Sequence, residues 1–231
     1  MRRTIDNMVD LLTLPWERLD DSCTIAMRMA AFTARQIVER RFEAGDLLSE
    51  GALADSLGVS RTPAREAMLQ LESWQLVRLV PKKGAIITSV TSEQRRDLLA
   101  VRALFETNAI ATIGQDTATL AEDLRAIVEM QRNALAERDI LQFASTDYAM
   151  HARIIRGGGN SIVDEVLAGL GPRLARLTYQ AILDQVGSLE KIFAEHEQLV
   201  DLASAGDATK FGSLVRSHIN DVHFGPRGAA R

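Results

Sequence analysis

Strand-like sequence occurs in only one short stretch of this chain. Leu76-Val77-Arg78-Leu79-Val80 and Ala85-Ile86-Ile87-Thr88-Ser89-Val90 are rich in β-branched residues and flank the turn Pro81-Lys82-Lys83-Gly84. Two such runs around a short glycine-containing turn predict a β-hairpin. After Val90 no period-two alternation recurs, and helix caps and glycine breaks appear in its place. The chain therefore divides at Val90 into a part that combines helices with a hairpin and a part that is all helical.

Ahead of the hairpin, Ile25, Met29, Phe32 and Ile37 fit a helix over 24–41, with Gly45 beyond its end. Ser49 is an N-cap for a short helix over 50–57, stopped by Gly58. Thr62 and Pro63 open a third, which turns Ala64, Ala67, Met68 and Leu71 inward. Beyond Val90, Thr91 or Ser92 caps a helix to about Ile113. Further helices follow at roughly 117–137, 139–156, 161–184, 188–205 and 207–223, capped by Asp139, Asn160, Ser188 and Asp207. The expected protein is mainly α. An N-terminal winged helix-turn-helix over 22–90, three helices plus a β-hairpin, precedes an all-α bundle of six to seven helices over 91–225. Residues 1–21 form an arm and 226–231 a tail.

With 46% hydrophobic and 25% charged residues, the chain has the composition of a soluble globular protein. Cys23 is its single cysteine, so no intramolecular disulfide forms, which suits a reducing compartment. No run of 18 apolar residues spans a membrane, and Asp6 and Asp10 break any signal-peptide core after Arg2 and Arg3. A cytoplasmic location is expected. The net charge of −4 argues mildly against a nucleic-acid partner, but it is unevenly distributed. Residues 24–90 carry nine Lys/Arg against seven Asp/Glu, a net of about +2, which leaves about −6 elsewhere. Arg61, Arg65, Arg78, Lys82 and Lys83 cluster, and local clustering governs attraction to phosphate more than the total does.

Three short helices and a hairpin are the outline of a DNA-reading head. Leu57-Gly58-Val59-Ser60 supplies the tight turn before the third helix. Ser60, Arg61, Thr62 and Arg65 stand at that helix's N-terminal end, the end that enters a major groove. Arginine pairs bidentately with guanine, and Ser and Thr reach phosphates or bases. Lys82, Lys83 and Gly84 form a hairpin tip able to approach a neighbouring groove. The alternative is a basic face of a helical interaction domain.

All four histidines lie after Val90. Asp147 and His151, four apart on one helix, share a face. With His196 and His218 they make a three-His, one-Asp set that suits Zn²⁺ first and also Ni²⁺, Mn²⁺ or Fe²⁺. The alternative is a buried polar cluster around water, or scattered surface histidines. His223, five residues after His218, points to a different face and is a bystander. A metallohydrolase needs a general base beside such a site. No base stands at a clear spacing, and no HExxH, phosphate loop or nucleophile elbow is present.

The run from Leu48-Ser49-Glu50 through Ser60-Arg61-Thr62-Pro63-Ala64-Arg65-Glu66-Ala67 to Lys83-Gly84-Ala85 resembles the DNA-binding domain of the GntR family. That resemblance implies DNA contacts from Ser49, Glu50, Ser60, Arg61, Thr62, Arg65, Lys82, Lys83 and Gly84. Gly51 stands where the family often has an arginine, which removes one expected contact. Residues 93–223 resemble the FCD domain, the helical effector module of the family's FadR-like branch. The matching strings are Val101-Arg102-Ala103-Leu104-Phe105-Glu106, Asp147-Tyr148-Ala149-Met150-His151, Glu195-His196 and Arg216-Ser217-His218. This resemblance implies a metal on Asp147, His151, His196 and His218 and a small carboxylate effector beside it, with Arg102 as its partner. Arg102 has an alternative in an ion pair with Glu106. Asn160 suits either an effector contact or a helix N-cap. Together these features predict a transcription regulator, a repressor rather than an enzyme. It is expected to act as a homodimer on a palindromic double-stranded operator.

Overall fold

A computed structural model describes Leu14, residues 22–113 and residues 117–225. The expected arm, Leu14 apart, and the tail lie outside the described residues. The first helix, α1 (Ile25–Val38), begins at Thr24, whose hydroxyl accepts the Met27 N–H at 3.1 Å. It ends before the expected Arg41. Arg40 adopts a left-handed φ of +60°, which stops the helix, and sends its guanidinium across to Asp184 at 2.9 Å. Ser49 caps α2 (Glu50–Leu57) through the Ala52 N–H, and Gly58 ends it at φ +64°. Then come α3 (Arg61–Ser73), β2 (Val77–Val80) and β3 (Gly84–Ile87).

A further strand, β1 (Leu47–Leu48), precedes α2 and completes an antiparallel sheet in the order β1-β3-β2. Leu47 faces Ile86, and Val77 faces Ile87. Two residues are too few to show alternation, so the sequence predicts a hairpin where the structure has three strands. Gly84 sits where β1 crosses. Its φ is +111°, and a Cβ there would lie 2.1 Å from the Leu48 carbonyl oxygen, so no side chain fits. Met29, Ile37, Leu53, Met68, Leu71, Leu76 and Ile87 form a small core of their own. Ile25 and Phe32 fit the helical period yet are 48% and 46% exposed.

The second part contains α4 (Ser92–Thr112), α5 (Thr117–Glu137), α6 (Ile140–Gly157), α7 (Ser161–Asp184), α8 (Leu189–Ser204) and α9 (Ala208–Phe224). A 3-10 turn, Val186–Ser188, leads into α8. A reciprocal capping box between Thr91 and Gln94 fixes the start of α4. Asp139, Asn160 and Asp207 cap α6, α7 and α9 as their sequence positions predict. Every residue from 143 to 152 in α6 is buried. A helix buried on all sides is a central one, and α4, α5 and α7 pack around it. No helix among the described residues is long and apolar enough to cross a membrane.

Candidate metal centre and nucleic-acid interface

Three helices bring the metal-binding candidates together. Asp147 and His151 come from α6, His196 from α8 and His218 from α9. All four are buried, and one ligand atom from each lies within 4.8 Å of the others. His196 Nε2 is 3.3 Å from His218 Nε2 and 3.4 Å from Asp147 Oδ2, and His151 Nε2 is 3.9 Å from Asp147 Oδ1.

Each ring is held from behind. His151 Nδ1 meets Glu106 Oε2, His196 Nδ1 meets Gln131 Oε1, and His218 Nδ1 meets Glu195 Oε2, each at 2.7 Å. These oxygens are acceptors, so in the neutral rings Nδ1 carries the proton and Nε2 the lone pair. Three Nε2 lone pairs and a carboxylate then converge with no proton between them. Asp147 Oδ2 and His151 Nε2 have no hydrogen-bond partner despite being buried. Burial holds His151 well below the ordinary imidazole range, helped by the nearby Arg102 charge. Burial does the same to His196, with the nearby Arg102 charge adding to it. Burial also pushes Asp147 up to about 6 against the pull of Arg102. This donor set, with Asp147 Oδ2 and His151 Nε2 left without partners, fits a divalent transition metal, and the three outer partners are the supports that metal-binding histidines use.

Sequence reasoning does not identify Gln131 and Glu195 as supports, and it names Glu106 only as a partner for Arg102. Arg102 does pair with it, its Nε donating to Glu106 Oε1 at 2.9 Å, but in the interior rather than at the surface. The result is a relay from Arg102 through Glu106 to His151. Burial pushes Glu106 up and Arg102 opposes that. Asn160 is exposed, and its side-chain oxygen accepts the Ile162 and Val163 N–H groups, capping α7. His223 lies outside the four-residue group.

In the first part, the start of α3 and the β2–β3 turn face each other across one groove. Ser49, Glu50, Arg61, Arg65, Lys82, Lys83 and Gly84 all line it. Ser60, Arg61, Thr62, Arg65, Lys82 and Lys83 are exposed. Ser60 makes no side-chain cap bond, so its hydroxyl is not committed to α3. The turn is closed by Lys83 N–H to the Val80 carbonyl at 3.0 Å, with Lys82 at φ +63°. Gly51 lies beside Arg61 with room for a side chain, a Cβ there reaching only to 3.8 Å of Arg61 Nη2.

The family described as "Bacterial regulatory proteins, gntR family" matches residues 33–87, and the FCD domain matches residues 97–221, more than half of the chain. The chain is a member of the GntR family. Its second part is an FCD domain. The gluconate operon transcriptional repressor of Bacillus licheniformis is 27% identical over 201 residues, covering 85% of this chain and 82% of that one. Two solved structures share the fold. A GntR regulator from Rhodococcus sp. RHA1 covers 89% of this chain and 99% of its own, with a TM-score of 0.75 and 22% identity. McbR/YncC of E. coli covers 86% and 95%, with a TM-score of 0.74 and 19% identity. This GntR-family protein is a regulator, not an enzyme.

Proposed function

We propose that this GntR-family protein is a cytoplasmic repressor whose hold on a palindromic operator is controlled by a small carboxylate at a metal in the FCD domain. The observation that carries the reading is the buried convergence of three imidazole Nε2 atoms on Asp147, each ring fixed by its own outer acceptor. Asp147, His151, His196 and His218 hold the ion, Zn²⁺ first and otherwise Ni²⁺, Mn²⁺ or Fe²⁺. When bound, it would supply a positive centre that attracts a carboxylate oxygen. Arg102 adds fixed positive charge at the same place and orients His151 through Glu106. Repression and the carboxylate class are supported by the B. licheniformis relative, a repressor of a gluconate operon.

In the head, Ser60, Arg61, Thr62 and Arg65 read the major groove while Lys82, Lys83 and the Gly84 turn approach its neighbour. Ser49 and Glu50 complete the wall between them. A homodimer places two such heads on two half-sites. The effector changes operator affinity only if it binds one arrangement of the dimer better than the other. The test is retardation of the protein's own promoter fragment, with and without gluconate as the probe carboxylate and before and after chelation. Release by gluconate from the metal-loaded protein alone supports the reading. Equal DNA affinity in all four conditions, with no metal recovered from the purified protein, rules it out.

A further inference from the structure

Three arginines outside both sites meet between the two cores. Arg173 and Arg176 lie three residues apart on α7, hence on one face. Arg173 Nη1 donates to Gln75 Oε1 at 2.7 Å, and Arg176 Nη1 to Thr88 Oγ1 at 3.2 Å. Both acceptors belong to the DNA-reading head. Gln75 follows α3 at a left-handed φ of +56°, and Thr88 follows β3. Thr88 Oγ1 gives its own proton to the Gln75 or the Leu76 carbonyl, each at 2.9 Å.

These side chains border a cleft of about 260 Å³ whose third cation is Arg78 of β2. Ser89 and Val90, part of the link between the two halves, form one wall. Arg173 Nε and Arg176 Nε are buried and have no hydrogen-bond partner. Arg176 is only 4% exposed. A buried cationic N–H without a partner costs about 1–3 kcal/mol or more, and native proteins nearly always satisfy such groups. No carboxylate among the described residues forms an ion pair with Arg78, Arg173 or Arg176. Glu72 lines the cleft, but its Oε1 already accepts the Leu79 N–H at 2.7 Å. Glu43 acts on Arg176 only through its charge.

We propose that a small oxyanion binds in this cleft and joins head to bundle through Arg78, Arg173 and Arg176. Guanidinium forks match phosphate and carboxylate oxygens, and the two Nε–H groups without partners belong to side chains that border the cleft. A phosphate or a short dicarboxylate fits the space. Once bound, it ties strand β2 of the head to α7 of the bundle and so favours the arrangement in which these arginines converge.

The test is calorimetric titration of the full-length protein with inorganic phosphate, and separately with malonate, at constant ionic strength in chloride. One saturable site per chain is expected, and whichever anion binds identifies the class. Arg176→Gln and Arg78→Gln should each weaken it by about tenfold or more, the value of one charge-assisted hydrogen bond. Arg78 is exposed, so its variant leaves the core intact and carries the test if Arg176→Gln does not fold. No saturable heat from either anion overturns the proposal, as does undiminished binding in Arg78→Gln.

Discussion

At the scale of single residues, the metal reading depends on chemistry that only a few side chains possess. His151→Ala removes one converging lone pair and should lower metal content per chain well below the wild-type value, while DNA binding without effector persists. Full metal occupancy of that variant, measured by elemental analysis, would remove His151 from the site. Proton competition gives a second test. Asp147 is pushed up to about 6 by burial, so below that pH the free carboxyl holds a proton that must leave before a metal binds. The rise in Tm on adding zinc should therefore shrink as the pH falls from 7 to 5. A rise that is independent of pH would exclude Asp147 as a ligand. In the head, Arg65→Ala should weaken specific operator binding by about 1–3 kcal/mol, and unchanged affinity in a titrated retardation assay would remove Arg65 from the reading surface. The histidines were legible in the sequence because they are rare and all lie beyond Val90. Their supports were not. Glu106, Gln131 and Glu195 are ordinary helix residues, and nothing in their spacing shows that α4, α5 and α8 turn them towards the same centre.

At the scale of elements, local chemistry marked most boundaries. Asp139, Asn160 and Asp207 announce α6, α7 and α9 because a capping side chain must sit at the first turn of its helix. Strand β1 was illegible because its place in the sheet comes from pairing with β3 across intervening sequence, not from its own two residues. The end of α1 is not legible in the sequence, because Arg40, at a left-handed φ of +60°, pairs with Asp184, a partner far along the chain. The glycine at the wing has a firmer role than approach to DNA. Gly84→Ala would place a methyl group against the Leu48 carbonyl and should destabilise the head by roughly 2 kcal/mol or more. Urea unfolding followed by the fluorescence of Trp74, which is buried in that core, measures this. A loss below a few tenths of a kcal/mol would mean that β1 does not hold its place against the turn.

At the scale of the whole molecule, two hydrophobic cores are joined by polar contacts from α7 and α1 and by Val38 of α1, which packs into the larger core. The candidate metal centre belongs to only one of them. Removing the ion with a chelator should lower the Tm of the FCD core and leave operator binding by the head measurable. If both cores melted earlier by the same amount, they would be a single cooperative unit. Helix α7 touches the head through Arg173 and Arg176 and packs on α6, which carries Asp147 and His151. It is the element best placed to relay a change at the centre.

The burial of α6 has one more consequence. Residues 143–152 are buried all round the helix, so a metal held by Asp147 and His151 would be screened from solvent by the neighbouring helices. Exchange of such a metal would be timed by openings of the bundle rather than by collisions with free ion. A metal held there would leave at a pace that does not quicken as more chelator is added.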